Sequence, residues 1–295
     1  MCSSNTTELG AVKTLQYVVH IPTFLLGLLV NSAALWILCF RLKKWTESVI
    51  YMINLITSDV FLLFSLPFKV YASVEDKWHL GSRFCEFVES LYFVNTYGTM
   101  LIIMLISLDR YIAIKHPFPA KSLRSPKKAL LACTVLWVCV WAASIPNYLQ
   151  SNPQTGQCFA GFSEFWERGV IPLTMLSVFL IVAVVLTFCS TQIIRTLKRA
   201  GEGSTRTSVN IISSNLVTFL LCFTPYHVAM FLYFLVRRRH IAADHLGSLR
   251  LFLQTSQCLA TTNCCLDAMY YYLIIKEFWK SKDKRMKHGV SICKI

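Results

Sequence analysis

The chain has 295 residues, 55% of them hydrophobic and 15% charged, with a mean hydropathy of +0.52. A soluble globular domain carries about a quarter charged residues; here the charges form short clusters between long apolar runs, which excludes a pair of soluble domains. The net charge of +14 invites a nucleic-acid partner, but its distribution argues against one. The twelve cysteines do not form a zinc pattern. Most, including Cys133, Cys189, Cys222 and Cys258, lie within apolar runs and behave as small hydrophobes.

A bilayer core about 30 Å thick needs about 20 apolar helical residues to cross. Seven runs meet that need: roughly 15–40, 48–71, 86–114, 129–149, 169–194, 209–236 and 249–275. Backbone polar groups in lipid must be satisfied within the segment, so each run is expected to be a helix. The first run is too long for a cleavable signal peptide, and no A-x-A-like site follows it. With the N-terminus outside, 19 of the 29 lysines and arginines fall in the inner connections and the tail. This bias sets residues 1–14 outside and 276–295 inside, and most of the positive charge then faces an anionic inner leaflet. The expected architecture is an all-α seven-transmembrane helix bundle, a single domain over 1–295. Lys276–Lys287 closes it as a short amphipathic eighth helix, with Phe278 and Trp279 against the lipid bilayer. Asn5-Thr6-Thr7 is a glycosylation sequon on the outer side.

Polar residues at membrane depth are costly and face the bundle interior. Asp59 and Asp267 lie mid-span, with Asn31, Thr99 and Asn263 as neighbouring amides and hydroxyls. Such a set either coordinates a sodium ion, holds a buried proton, or joins a hydrated hydrogen-bond network. At the inner end of the third span, Asp109-Arg110-Tyr111 puts an arginine beside an aspartate that can neutralise it until the bundle opens. Outside, Cys85 begins the third span and Cys158 lies in the second outer connection, so one disulfide would staple that loop over the outer mouth. Pro67, Pro146, Pro172 and Pro225 are expected to break helical ladders within spans. Phe219 and Phe223 lie beside the hinge at Pro225. In the outer half, Lys69 either pairs with Glu89 or holds an anionic ligand group. Tyr92, Phe93, Tyr97, Tyr226, Phe231 and His227 complete a mixed apolar and basic chamber. Arg237-Arg238-Arg239-His240 sits outside against the charge bias, either attracting an anion or snorkelling to headgroups.

In this order, Asn31, Asn54-Leu55-x-x-x-Asp59, Trp78-x-x-Gly81, Cys85, Asp109-Arg110-Tyr111, Trp137, Phe219-x-x-Cys222-Phe223-Thr224-Pro225 and Asp267-x-x-x-Tyr271 resemble the rhodopsin-like (class A) G-protein-coupled receptors over the whole chain. Within that family, Lys13 to Pro22, Ser48 to Asn54, Ser65-Leu-Pro-Phe-Lys69 and Asn263-Cys-Cys-Leu-Asp267 look like the branch that responds to lysophosphatidylinositol, and less closely like the branch that responds to kynurenic acid. The latter carries an arginine where this chain has Thr96. The resemblance implies a plasma-membrane receptor, not an enzyme, that takes an extracellular anionic lysolipid and couples to heterotrimeric G proteins of the twelve/thirteen and q classes. A small aromatic or hydroxy-carboxylic acid is the alternative ligand. By matching position, Lys69, Glu89, Tyr92, His227 and Gln257 would line the pocket, and Arg110 would meet the G protein. The chain departs from the common pattern at Ile181, Cys189, Phe223 and Asp267-Ala268.

Other seven-span functions fit less well. A retinal Schiff base needs a lysine in 249–275, and none is there. A transporter of repeated halves needs an internal duplication, and none is found. A membrane hydrolase needs clustered histidines, whereas only His20 and His227 lie near membrane depth.

Overall fold

The computed structural model describes residues 2–41, 45–75, 78–149, 158–159, 170–200, 205–238 and 246–267. Its helices are α1 (Cys2–Trp36, running into a π turn at Ile37–Arg41), α2 (Glu47–Val74), α3 (Ser82–Lys115), α4 (Pro117–Leu123), α5 (Pro126–Leu149), α6 (Val170–Ala200), α7 (Thr205–Arg237) and α8 (Leu246–Thr261). Six of them are long and apolar enough to cross a bilayer. α8, with its continuation to Asp267, is the seventh wall of the bundle. The amphipathic helix expected over 276–295, Tyr271 and the side chain of Asn5 lie outside the described residues.

Three boundaries differ from expectation. α1 extends back to Cys2, because no proline interrupts the stretch before Pro22. The connection after α3 carries the short helix α4, which has Pro117 in its first turn, where a missing N–H costs nothing. Pro172 likewise falls in the first turn of α6 instead of breaking a ladder. Pro67 and Pro225 do sit inside α2 and α7 and remove the helical donors to Leu63 and Leu221.

Local chemistry fixes several ends. The Thr46 side chain accepts from Val49 N–H at 3.4 Å, and Glu47 in the first turn complements the helix dipole. Before α3, Gly81 adopts φ 84°, a left-handed conformation that glycine tolerates, and its carbonyl accepts from Trp78 Nε1 at 2.8 Å.

The helices close a ring. α1 packs on α2 and α8, α2 on α3 and α5, α3 on α5 and α6, and α7 on α6 and α8. α3 is the central strut, packed on α2, α5 and α6; α2 and α3 are the more deeply buried spans, and α1, α5 and α6 the more exposed ones. Polar clasps register the helices. Trp137 Nε1 donates to Asn54 Oδ1 at 2.8 Å, and Asn95 Nδ2 donates to the Ser58 carbonyl at 2.9 Å. Gly27 lets α1 approach α2 and α8, since a Cβ there would lie 2.7 Å from Leu63 Cδ2 and 3.4 Å from Cys264 Sγ. Gly27→Val should therefore overpack the interface at a cost of about 1–3 kcal/mol, read as a lower melting temperature of the detergent-solubilised protein; an unchanged melting temperature would contradict this packing.

Candidate functional site

The residues expected to line an outer chamber stand on α2, α3, α7 and α8. Lys69 stands on α2 and is 3% exposed. Its Nζ has no hydrogen-bond partner among the described residues and lies 4.3 Å from the Tyr92 ring centroid and 5.9 Å from that of Phe159. Of the two roles open to Lys69, the ion pair with Glu89 is not formed. Glu89 Oε1 instead accepts the Phe159 backbone N–H at 2.6 Å. Cys85 and Cys158 are joined in the expected disulfide, with their Cα atoms 5.7 Å apart. The bridge holds Phe159 over Glu89 at φ 60°, a conformation a bulky residue adopts only when its surroundings impose it. Sequence reading missed Phe159, because its role is played partly by a backbone N–H that any residue has.

Tyr92 reaches from α3 to α8, its hydroxyl 3.3 Å from both the Gln257 carbonyl and Thr261 Oγ1. Phe93 packs on Tyr97 with centroids 4.7 Å apart. His227 is 0% exposed, and both its ring nitrogens are engaged within the protein. Nδ1 lies 2.8 Å from the Phe223 carbonyl, and Nε2 lies 3.3 Å from the Tyr97 hydroxyl. Its ring stacks on Phe179 at 4.2 Å, and Phe219 packs beside both Phe179 and Phe223. His227 thus links the chamber to the residues around Pro225.

Deeper in the bundle, the five polar residues grouped by sequence separate into three sets. Asn263 Nδ2 donates to Asp267 Oδ2 at 2.6 Å. Thr99 belongs with Ser58 and Asn95, donating to Ser58 Oγ at 3.1 Å. Asn31 Nδ2 donates to the Gly27 and Cys264 carbonyls. Its Oδ1 and both carboxylate oxygens of Asp59 are buried without partners among the described residues. Buried oxygens with unused lone pairs are donors of the kind a hard cation takes, and in that chemistry Asp59 and Asn31 fit sodium.

At the inner face, Asp109 is engaged by Arg124. Its carboxylate accepts two bonds from Arg124, Nε at 2.7 Å and Nη2 at 2.9 Å, and Arg124 lies 3.7 Å from Glu47. These bonds raise the guanidinium pKa further above its ordinary value, so Arg124 stays charged at physiological pH. The bidentate fork is the geometry arginine prefers for a carboxylate, and α4 delivers Arg124 to it. Arg110 Nη2 donates to Ser48 Oγ on α2 at 3.0 Å. Tyr111 packs against His116 and Phe188.

Comparison with known proteins agrees with this arrangement. Residues 30–283 match the family of 7 transmembrane receptors of the rhodopsin family. The chain is 39% identical to G-protein coupled receptor 55 of Mus musculus, covering 94% of this chain and 90% of that one. It is 34% identical to lysophosphatidic acid receptor 6 of Gallus gallus, over 92% of this chain and 94% of the relative. It is also 34% identical to G-protein coupled receptor 35 of Homo sapiens, over 94% and 89% of the two chains. These relatives are signalling receptors rather than enzymes, and the chain belongs to the rhodopsin family of seven-transmembrane, G-protein-coupled receptors.

Proposed function

We propose that the outer chamber binds an anionic lysophospholipid of the lysophosphatidylinositol type and that binding activates heterotrimeric G proteins of the twelve/thirteen and q classes. The observation that carries this reading is Lys69, a buried ammonium whose Nζ lies 4.3 Å from the Tyr92 ring centroid and has no hydrogen-bond partner among the described residues. A cation–π contact offsets part of the desolvation of an ammonium; an anionic headgroup would complete the compensation. Similarity to a lysophosphatidic acid receptor supports a lysolipid.

The second reading is a small aromatic or hydroxy-carboxylic acid such as kynurenic acid. The Tyr92 and Phe159 rings beside Lys69 favour it, and Thr96, in place of an arginine, weighs against it. The deciding experiment is a G-protein activation assay of the intact receptor against lysophosphatidylinositol, lysophosphatidic acid and kynurenic acid, with separate readouts for each G-protein class. Activation by kynurenic acid alone would favour the second reading; silence toward all three would defeat both.

The N-terminus is extracellular in this reading and the receptor resides in the plasma membrane. The lysine and arginine bias supports that orientation, as does the Cys85–Cys158 disulfide on the side where thiols oxidise. A sodium ion, where bound, would be held by Asp59 and Asn31, with Asp267 as the second nearby acid; a proton shared by the two acids is the alternative. The ion would supply positive charge that neutralises buried carboxylates.

A further inference from the structure

We infer that His20 on α1 is a second anion-binding residue, sharing one cleft with Lys69 and donating from Nδ1 to the ligand's phosphate or carboxylate group; this rests on Lys69 being the anion anchor.

The helix geometry brings the two residues together. α1 and α2 are antiparallel neighbours. They touch where the Ser73 hydroxyl meets Gln16 Oε1, and that hydroxyl also lies 2.9 Å from the Lys69 carbonyl. Residues four apart lie one above the other on a helix face. His20 is four residues beyond Gln16 on a chain running inward; Lys69 is four residues before Ser73 on a chain running outward. Both therefore lie one turn below the Gln16–Ser73 contact, on the faces that contact brings together.

The other helices close the cleft. His20 Nε2 lies 3.7 Å from Cys258 Sγ on α8. Beside Cys258, the Gln257 carbonyl is 3.3 Å from the Tyr92 hydroxyl, and the Tyr92 ring lies 4.3 Å from Lys69 Nζ. α1, α8, α3 and α2 thus form a circuit with His20 and Lys69 at adjacent corners. One turn deeper, Thr23 carbonyl and Cys265 Sγ at 3.6 Å seal α1 against α8.

Two nitrogens in this circuit lack partners among the described residues: Lys69 Nζ and His20 Nδ1. The two residues are 3% and 0% exposed. A polar atom buried without a partner costs stability, and two in one cleft, one of them cationic, point to a ligand group that accepts from both. When the Cys258 thiol donates to Nε2, the ring proton sits on Nδ1, which is the donor an anion requires. A histidine that merely packed the core would have both nitrogens satisfied, as His227 does.

The test is G-protein activation in cells by lysophosphatidylinositol and, separately, by kynurenic acid, with surface level measured through an N-terminal epitope. Asparagine places an amide near the Nδ1 position, whereas glutamine reaches toward the Nε2 position. His20→Phe and His20→Gln should raise the half-maximal concentration of the active compound about tenfold or more, the loss of one charge-assisted hydrogen bond. His20→Asn should stay within about threefold of the parent, keeping that bond. Equal losses in all three variants, or no loss in the phenylalanine and glutamine variants, would overturn the inference. If His20→Phe fails to reach the surface, the asparagine and glutamine pair decides. Lys69→Ala separates the two claims. A silent Lys69 variant beside a fully responsive His20→Phe sinks this inference and spares the pocket. A responsive Lys69 variant, or a parent receptor silent to both compounds, sinks the pocket reading itself. A shift seen with lysophosphatidylinositol marks the bound group as phosphate; a shift seen with kynurenic acid marks it as carboxylate.

Discussion

Replacing Lys69 by alanine is expected to abolish the response to an anionic lysolipid while leaving the receptor at the cell surface. The two halves of this expectation have one cause. Lys69 is buried with no hydrogen-bond partner for its ammonium among the described residues, so without ligand it is a net burden on the fold, relieved in part by the Tyr92 ring at 4.3 Å. Removing the charge removes the burden, and the bundle should melt no lower than the parent beyond the cost of a small cavity. In the proposed reading, the same ammonium meets the ligand's anionic group. Losing a desolvated charge pair costs about 2–5 kcal/mol, or about 30-fold to several thousandfold in affinity, which places the response beyond practical concentrations. Lys69→Met keeps most of the volume without the charge and should be as silent as the alanine variant. A full response in either, at normal surface level, would show that the anion is held elsewhere.

How much of this was legible beforehand depends on the range of the interaction. Span positions follow from local hydropathy, and α1, α2, α3, α5, α6 and α7 meet that expectation. The Cys85–Cys158 bridge was legible because each cysteine sits outside an apolar run, on the same side of the membrane. Three features were not legible. Phe159 reaches Glu89 through its backbone N–H, which carries no residue signature. Arg124 reaches Asp109 because α4 folds the chain back, and no periodicity announces a helix of that length with two prolines. His20 looked like one polar residue on an apolar helix until α2 and α8 were packed against it. The polar group around Asp59 shows the converse: sequence placed its members at one depth, but which amide meets which carboxylate depends on side-chain reach and helix rotation, so Asn263 went to Asp267 and Thr99 to Ser58.

Arg110→Ala is expected to remove agonist-driven G-protein activation while leaving ligand binding unchanged, because Arg110 lies at the end of α3 opposite the chamber. The neighbouring acid makes this prediction sharper. Asp109 is buried, and both its oxygens are occupied by Arg124, which also approaches Glu47. Asp109 is therefore tied to the α4 segment, while Arg110 also reaches Ser48 on α2. Removing Arg124 should reverse that division. A buried carboxylate left without its fork seeks the nearest cation, and the residue next in the chain is Arg110. Arg124→Ala should then weaken coupling several-fold without touching agonist affinity, and adding Asp109→Asn should restore it, since a neutral amide no longer draws Arg110 in. The three variants and the parent form a cycle whose coupling term isolates the contact, read as nucleotide exchange in membranes with a defined G protein. Additive losses, with no rescue by Asp109→Asn, would mean that Arg124 acts only by holding the α4 segment in place, and Arg110→Ala with undiminished exchange would remove Arg110 from the inner site altogether.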